Sequence, residues 1–193
     1  LLSLLPTGGS AQWVEDPGEG WIDVTLYHQD TRQLFWIDGE VRDFFSDGHA
    51  VNTSVFFTIA GGLLPGVDGW IQAPYHRLRY DDTAGERLRT GLGDTRFYLR
   101  GSPLRLLGSD FPLAVRGGVK MPVGDFAVAA DVIPLGDGQT DWELMLESGH
   151  SFYPRPLYVS GWVGYRWREK NDRSLQDFGD ERFFLLQVGG QWR

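Results

Sequence analysis

Hydrophobic and polar side chains alternate along long stretches of this chain. In residues 141–147, DWELMLE, the even positions are apolar and three of the odd positions are acidic. Because successive side chains of a β-strand point to opposite faces, this pattern predicts a strand with one apolar and one charged face. The alternation does not decide which face lies inside. A soluble barrel or sandwich buries the apolar face, whereas a transmembrane barrel turns it toward lipid.

The same pattern predicts at least eight strands. They cover residues 21–29, 49–60, 68–80, 91–102, 112–122, 141–152, 156–168 and 180–193. Several have about ten residues or more, whereas strands of soluble proteins average about 5–6 residues. A strand that crosses a bilayer needs about 9–11 residues. Strand length therefore favours the membrane.

The links between the strands alternate between long and short. Long polar stretches cover 30–48, 81–90, 123–140 and 169–179, and compact turn-rich links lie between them. Up-and-down outer-membrane barrels have short turns on one side and long loops on the other. We therefore predict an all-β fold, an antiparallel up-and-down transmembrane β-barrel of at least eight strands, with a truncated larger barrel as the alternative.

Two segments depart from the simple pattern. Pro74 lies inside a predicted strand and cannot donate a ladder hydrogen bond, which predicts a bulge or an irregular strand there. Residues 32–45 are predicted to form a small hairpin that turns at Asp38-Gly39, and this would raise the strand count to ten.

The N-terminal residues suggest export. Residues 1–12, LLSLLPTGGSAQ, are typical of the end of a secretory signal peptide, with a disordered terminus as the alternative. We therefore predict a signal-peptide remnant over 1–12 and a single β-barrel domain over 13–193. The predicted location is the outer membrane of a Gram-negative bacterium.

Composition excludes several kinds of function. The net charge of −8 and the lack of a basic stripe argue against a nucleic-acid partner. The chain has no cysteine, so it has neither disulfides nor a cysteine metal site. Its histidines lack the spacing of a zinc site. The acidic residues of one long stretch are either calcium ligands or turn formers, and the neighbouring glycines favour turns. They are Asp125, Asp131, Asp137 and Asp141.

Five motifs occur in an order that resembles a known family. They are GLGDTRFYLR (91–100), GGVKMPVGDF (117–126), PLGDGQTDWEL (134–144), GWVGYRWRE (161–169) and DERFFLLQVGG (180–190). Over roughly residues 45–193 the chain resembles the bacterial outer-membrane proteins of the meta-pathway phenol-degradation family, which are transporter-like barrels. The resemblance implies a barrel that helps hydrophobic or aromatic compounds to enter the cell. Family members have more than eight strands and usually end in an aromatic residue, whereas this chain ends in Gln191-Trp192-Arg193.

The charged parity, with three aromatic residues, forms the predicted lumen. On one interpretation these side chains line a permeation path or ligand pocket, and on the other they form a salt-bridge network that fills a narrow barrel. They are Arg96, Tyr98, Arg100, Arg116, Lys120, Glu143, Glu147, Tyr158, Trp162, Arg166 and Arg168. The predicted partners are outer-membrane lipid and a small hydrophobic or aromatic molecule. We predict no metal, no cofactor and no enzymatic activity.

Two other functions stay open at this point. A soluble periplasmic or secreted barrel would bind an apolar ligand in a dry interior. A lipid-modifying barrel enzyme would bring a Ser and a His of neighbouring strands together at the membrane edge. Ser148 and His150 share the apolar face and Ser151 lies opposite, so this group does not suit catalysis in a lumen.

Overall fold

The computed structural model describes residues 14–109, 111–127, 132–175 and 177–190. The predicted signal-peptide remnant, Asp131 and residues 191–193 lie outside the described residues. The described chain is nearly all β, as predicted. It also contains a 3₁₀ turn, Phe45–Asp47, and one short helix, α1, Pro103–Leu106. None of its described helices has the length and hydropathy needed to span a bilayer.

The described residues form eleven strands, which alternate with turns and loops. Their bounds are β1 Gly20–Thr31, β2 Gln33–Phe35, β3 Val41–Asp43, β4 His49–Leu64, β5 Val67–Asp82, β6 Gly85–Leu92, β7 Thr95–Gly101, β8 Leu113–Met121, β9 Asp141–Ser151, β10 Leu157–Arg168 and β11 Glu181–Gly190.

The main sheet is an antiparallel meander that curls into a half-barrel. Its order is β1-β4-β5-β7-β8-β9-β10-β11, and β6 pairs with the second half of β5. The eight strands of this path follow one another in chain order, and β6 and β7 pair in succession with the same edge of β5, as an up-and-down topology requires. Among the described residues β1 and β11 do not pair with each other, so they form the two edges of the half-barrel.

The prediction of a long loop at 81–90 is wrong. Residues 85–92 form β6, which continues the ladder along β5 with Asp82 opposite Gly85. The link is a two-residue turn in which a side-chain oxygen of Asp82 accepts a hydrogen bond from the Ala84 N–H at 2.8 Å, and Gly85 takes a φ of +127°. An aspartate that accepts a hydrogen bond from the backbone two residues on, followed by a glycine with positive φ, is typical of a tight turn. Because the whole segment is polar, the sequence pattern did not distinguish this turn and its flanking strands from a long loop.

The predicted strand 91–102 is interrupted, and Pro74 explains where. β6 ends at Leu92 and β7 begins at Thr95, so Gly93 and Asp94 leave the ladder. The carbonyl of Pro74 accepts a hydrogen bond from Gly93 at 2.9 Å, which shows that the missing N–H of Pro74 faces this break. The register of β5 against β4 continues through Pro74. The predicted irregularity therefore lies in the neighbouring strand rather than in the strand of Pro74.

The predicted hairpin at 32–45 is confirmed, although it does not enlarge the main sheet. β2 and β3 pair with each other, and Gly39 takes a φ of +82° in the turn between them. They form a separate two-stranded sheet. The hairpin therefore belongs to the long connection between β1 and β4.

On the central strands of the main sheet the apolar parity is the more exposed one and the charged parity is buried or half-buried, whereas the edge strands β1 and β11 are largely exposed on both faces. In β9, Trp142, Leu144 and Leu146 are 52%, 45% and 46% exposed, whereas Asp141 and Glu147 are 5% and 6% exposed. The charged face is the concave side of the half-barrel and the apolar face is the convex side. The sheet thus has the reverse of the polarity expected for a soluble β protein with a dry core.

The apolar part of the convex face has a limited height. On β5 it runs from Val67 to Tyr75, about 30 Å at the usual rise per residue, and the next convex residues are Arg77, Arg79 and Asp81. These charged residues lie toward the end of the sheet that carries the longer links, which we call the long-loop end. We call the apolar part of the convex face the convex band.

Adjacent glycines of β8 provide a test of the two faces. A Cβ at Gly118 would lie 2.5 Å from the ring of Tyr98, whereas a Cβ at Gly117 meets nothing within 4 Å. We expect Gly118→Val to lower the free energy of unfolding by about 1–3 kcal/mol because Tyr98 must leave its rotamer. Gly117→Val should leave it unchanged or raise it slightly, since glycine weakens a strand. Urea unfolding of both variants checks this, and equal effects would contradict the assignment of the faces.

Candidate functional site

The concave face carries a continuous series of ion pairs in which acidic and basic side chains alternate. Their closest N–O distances range from below 3 Å to 3.9 Å. The series crosses β5 and β7 to β11. We call it the ion ladder, and in order of contact it consists of Asp68, Arg100, Glu147, Arg116, Glu143, Arg166, Glu181, Arg168, Asp141 and Lys120.

The first pair of the ion ladder has the geometry of a bidentate contact. Arg100 donates from Nε to Oδ1 of Asp68 at 3.1 Å and from Nη2 to Oδ2 at 2.6 Å. Asp68 is 1% exposed, and its Oδ2 also accepts from the backbone N–H of Glu15 at 2.9 Å. A buried carboxylate needs such partners, because an isolated charge away from water is costly.

Aromatic rings cover part of the ion ladder. Trp70 and Tyr98 stack on neighbouring strands with their ring centroids 4.9 Å apart. The guanidinium of Arg116 lies 5.3 Å from each of these centroids, and that of Arg100 lies 5.3 Å from the Trp70 ring. Cation–π contacts of this kind stabilise arginines that have lost part of their hydration. The rings also give this part of the concave wall an apolar surface.

Most of the predicted lumen residues meet in this network. Tyr98 contacts the ion ladder through its ring, which lies against Arg116. Seven predicted lumen residues belong to the ladder itself: Arg100, Arg116, Lys120, Glu143, Glu147, Arg166 and Arg168. Arg96 lies on the same face, but within the described chain it has no ion-pair partner. Tyr158 and Trp162 lie on the concave face outside the ladder. The Tyr158 hydroxyl accepts from Gln187 at 3.1 Å, and Trp162 packs edge-on against Phe183.

Sequence reasoning missed several partners of these residues. Asp68 and Trp70 have the concave parity of β5, and Glu181 has that of β11, so the alternation marked their face. Their pairing with Arg100, Arg116 and Arg166 depends on the register between strands. That register cannot be read from one strand alone.

The loop after β8 folds inward over the concave face. The carboxylate of Asp94 accepts from the backbone N–H groups of Gly124 at 3.3 Å and Asp137 at 2.8 Å. Leu135 is buried and packs against Gly91 of β6. The side chain of Asp125 pairs with Arg89. The described parts of this loop are therefore attached to the sheet at both of their ends.

The charge of Asp137 connects this loop to the ion ladder. Burial alone would raise the pKa of Asp137, but the hydrogen bond from Lys120 and the charges of Lys120, Arg168 and Arg96 outweigh it and lower the pKa below its ordinary value. In the next loop the hydroxyl of Tyr165 and the N–H of Arg168 donate to Asp180 and lower its pKa. Both carboxylates therefore stay ionised at neutral pH.

Three of the four acidic residues considered as calcium ligands form ion pairs, and the fourth, Asp131, lies outside the described residues. Asp125 pairs with Arg89, and Asp137 and Asp141 pair with Lys120. No cluster of three potential metal ligands occurs within the described ranges.

One serine and one histidine of neighbouring strands are in contact, and they are not the pair considered in the sequence analysis. Ser54 of β4 and His76 of β5 are 2.7 Å apart on the concave face, with Asn52 2.5 Å from the serine oxygen. Ser54 is only 1% exposed. A nucleophile must reach its substrate, so this geometry suits a buried hydrogen bond. The serine and histidine considered in the sequence analysis do not contact each other: Ser148 donates to a backbone carbonyl, and His150 packs against Phe152.

Comparison with known proteins adds no assignment. No family model matches the chain, and no curated protein is significantly similar to it. The inferences below therefore rest on the geometry of the sheet and its faces.

The ion ladder can be tested at its centre. Glu147 is buried between Arg100 and Arg116, whereas Glu86 is exposed and pairs with Arg79. We expect Glu147→Ala to lower the free energy of unfolding by about 3 kcal/mol, because two partly buried guanidinium groups lose their shared carboxylate. Glu86→Ala should cost less than about 1 kcal/mol. Urea unfolding in detergent measures both values, and similar values would show that the ladder is a set of independent surface pairs.

Proposed function

We propose that the half-barrel is the wall of a bacterial outer-membrane β-barrel through which small hydrophobic or aromatic compounds enter the cell passively. The observation that carries the proposal is the reversed polarity of the sheet. An apolar face open to water over most of the strands would cause aggregation, whereas the same face in lipid is stabilised.

The dimensions of the convex band support this position. Its nine residues on β5 correspond to a strand that crosses the hydrocarbon at a tilt. At the long-loop end of the band, Trp142 and Trp167 lie directly opposite each other on β9 and β10. Trp142 donates to Glu169 at 3.3 Å, and Tyr165 packs against Trp167. Aromatic side chains with a polar contact are typical of the membrane–water interface.

The ion ladder supports a path for uncharged compounds. It contains five carboxylates and five cations in alternation, so the ladder has no net charge. A wall of this kind does not concentrate ions of one sign. The stacked rings of Trp70 and Tyr98 add an apolar surface to the same wall.

A membrane position also requires partners for the two edges of the sheet. Backbone groups at an open strand edge have no water to bind in the hydrocarbon, and each such group would cost several kcal/mol. We therefore propose that further strands pair with β1 and β11 and complete the barrel.

The other two functions have less support. A soluble binding barrel would bury the apolar parity, and the convex Leu186 is instead 73% exposed. A barrel enzyme needs an accessible nucleophile, and Ser54 is enclosed. Membership of the meta-pathway phenol-degradation family stays a prediction.

Three single cysteines in this cysteine-free chain test the proposal. Val163→Cys lies on the convex band, Ser160→Cys lies on the concave face outside the ion ladder, and Arg77→Cys lies on the convex face beyond the band. In lipid vesicles we expect a label at Val163 to be quenched by a lipid-confined quencher. The other two should react with a water-soluble thiol reagent.

Arg77→Cys is the matched control, because it shares the convex face with Val163 and differs in height along the strands. If the water-soluble reagent labels Val163→Cys as fast as it labels Arg77→Cys, the membrane proposal is wrong. If the lipid-confined quencher quenches the labels at all three positions, the convex band does not have the limited height described above.

A further inference from the structure

A cavity of about 440 Å³ lies on the concave side at the long-loop end, beyond the ion ladder. Its walls come from β1, β4, β5 and β6, and residues 132–134 of the loop after β8 form part of its lining. We call it the loop-end cavity. Cavities that bind small molecules usually have about 300–1,000 Å³, so its size suits a ligand.

The walls of the loop-end cavity are mostly apolar and include two aromatic rings. Leu78, Ile133 and Pro134 contribute aliphatic surface, and the rings of Phe44 and Tyr80 meet edge to face with centroids 5.9 Å apart. An apolar cavity of about 150 Å³ already accommodates benzene. The loop-end cavity therefore has room for a compound with one or two rings.

The charges at the cavity wall are neutralised by their neighbours. Arg87 lies over the Tyr80 ring at 4.9 Å and pairs with Asp82. Arg79 also contributes to the lining, but it has the convex parity, and its side chain pairs there with Asp81 and Glu86. A carboxylate ligand would lose its hydration here without meeting a cation that is free to bind it. The lining thus favours a neutral compound.

Two uncharged polar side chains in the lining, both amides, can contact a ligand. Gln29 of β1 and Asn52 of β4 lie directly opposite each other. The oxygen of Gln29 accepts from Tyr27 at 2.7 Å, and that of Asn52 accepts from Ser54 at 2.5 Å. Over the described part of the chain their NH₂ groups have no hydrogen-bond partner. They are donors, so they match an acceptor oxygen on a ligand.

We infer that the loop-end cavity binds a neutral compound of one or two rings that carries a hydroxyl or carbonyl oxygen. The rings pack against Leu78, Tyr80 and Ile133, and the oxygen accepts from Gln29 and Asn52. The inference rests on the proposed function, since it names the class of compound that the barrel takes up. The Asp94 carboxylate accepts hydrogen bonds from the backbone N–H groups of Gly124 and Asp137, and these bonds hold the loop on both sides of the 132–134 segment.

Fluorescence titration of the full chain in detergent micelles tests this with three matched probes: 2-naphthol, naphthalene and 2-naphthoate. We expect 2-naphthol to bind saturably. Naphthalene should bind about tenfold more weakly because it lacks the oxygen. We expect 2-naphthoate to bind at least about tenfold more weakly because its charge finds no free cation.

Four variants locate the binding. Leu78→Trp on β5 and Ile133→Trp on the loop each fill the cavity and should abolish binding of 2-naphthol. Leu88→Trp on the exposed side of β6 is the control and should bind as the parent does. Asn52→Leu should weaken the binding of 2-naphthol and leave the binding of naphthalene unchanged. The two filling variants lie on different elements, so a folding defect in one leaves the other to decide.

Two results would overturn the inference: 2-naphthol binding that survives both filling variants, and 2-naphthoate binding as tight as that of 2-naphthol. The cysteine labelling of Val163 and Ser160 does not depend on a ligand. Loss of probe binding with unchanged labelling would therefore remove the cavity assignment alone. Failed labelling with intact binding would remove the membrane proposal alone.

Discussion

The mutual neutralisation of charges on the concave face is the constraint on which the rest of the structure depends. Five carboxylates and five cations cross the sheet from Asp68 to Lys120, and each pairs with members of opposite sign. Charges of one sign at this density would repel each other, and unpaired ones could not be enclosed. Alternation removes both problems, so the polar parity can face inward. The apolar parity is then left on the convex side, which under the proposed function contacts lipid.

The ion ladder also positions the features at the long-loop end. Lys120, its last member, contacts Asp94 and Asp137 as well as Asp141. Through these carboxylates the loop after β8 is held against β6, and the loop in turn lines the loop-end cavity. The ion ladder and the loop-end cavity are therefore both in contact with this loop. A change at the ladder's end is expected to reach the cavity through this loop.

The differences between prediction and structure have local causes. Residues 81–90 were expected to be a loop because they are polar, yet they lie where β5 and β6 extend beyond the convex band, so both of their faces carry charges. Pro74 was expected to disturb its own strand. It instead faces the gap at Gly93 and Asp94, where the neighbouring strand needs no donor from it. In both cases the pairing with the neighbouring strand decided the local structure.

The sequence by itself determined which side chains share a face. Period-two alternation is a property of the extended backbone, so the parity of Arg100, Glu147 and Arg166 could be read from their own strands. Only the tertiary structure decided that this face is the concave one. Curvature and register are properties of several strands together: Arg100 and Glu147 meet across β8, and the Gly91–Leu135 contact joins a strand to a distant loop. Such contacts join residues far apart in the chain, and no pattern within one strand encodes them.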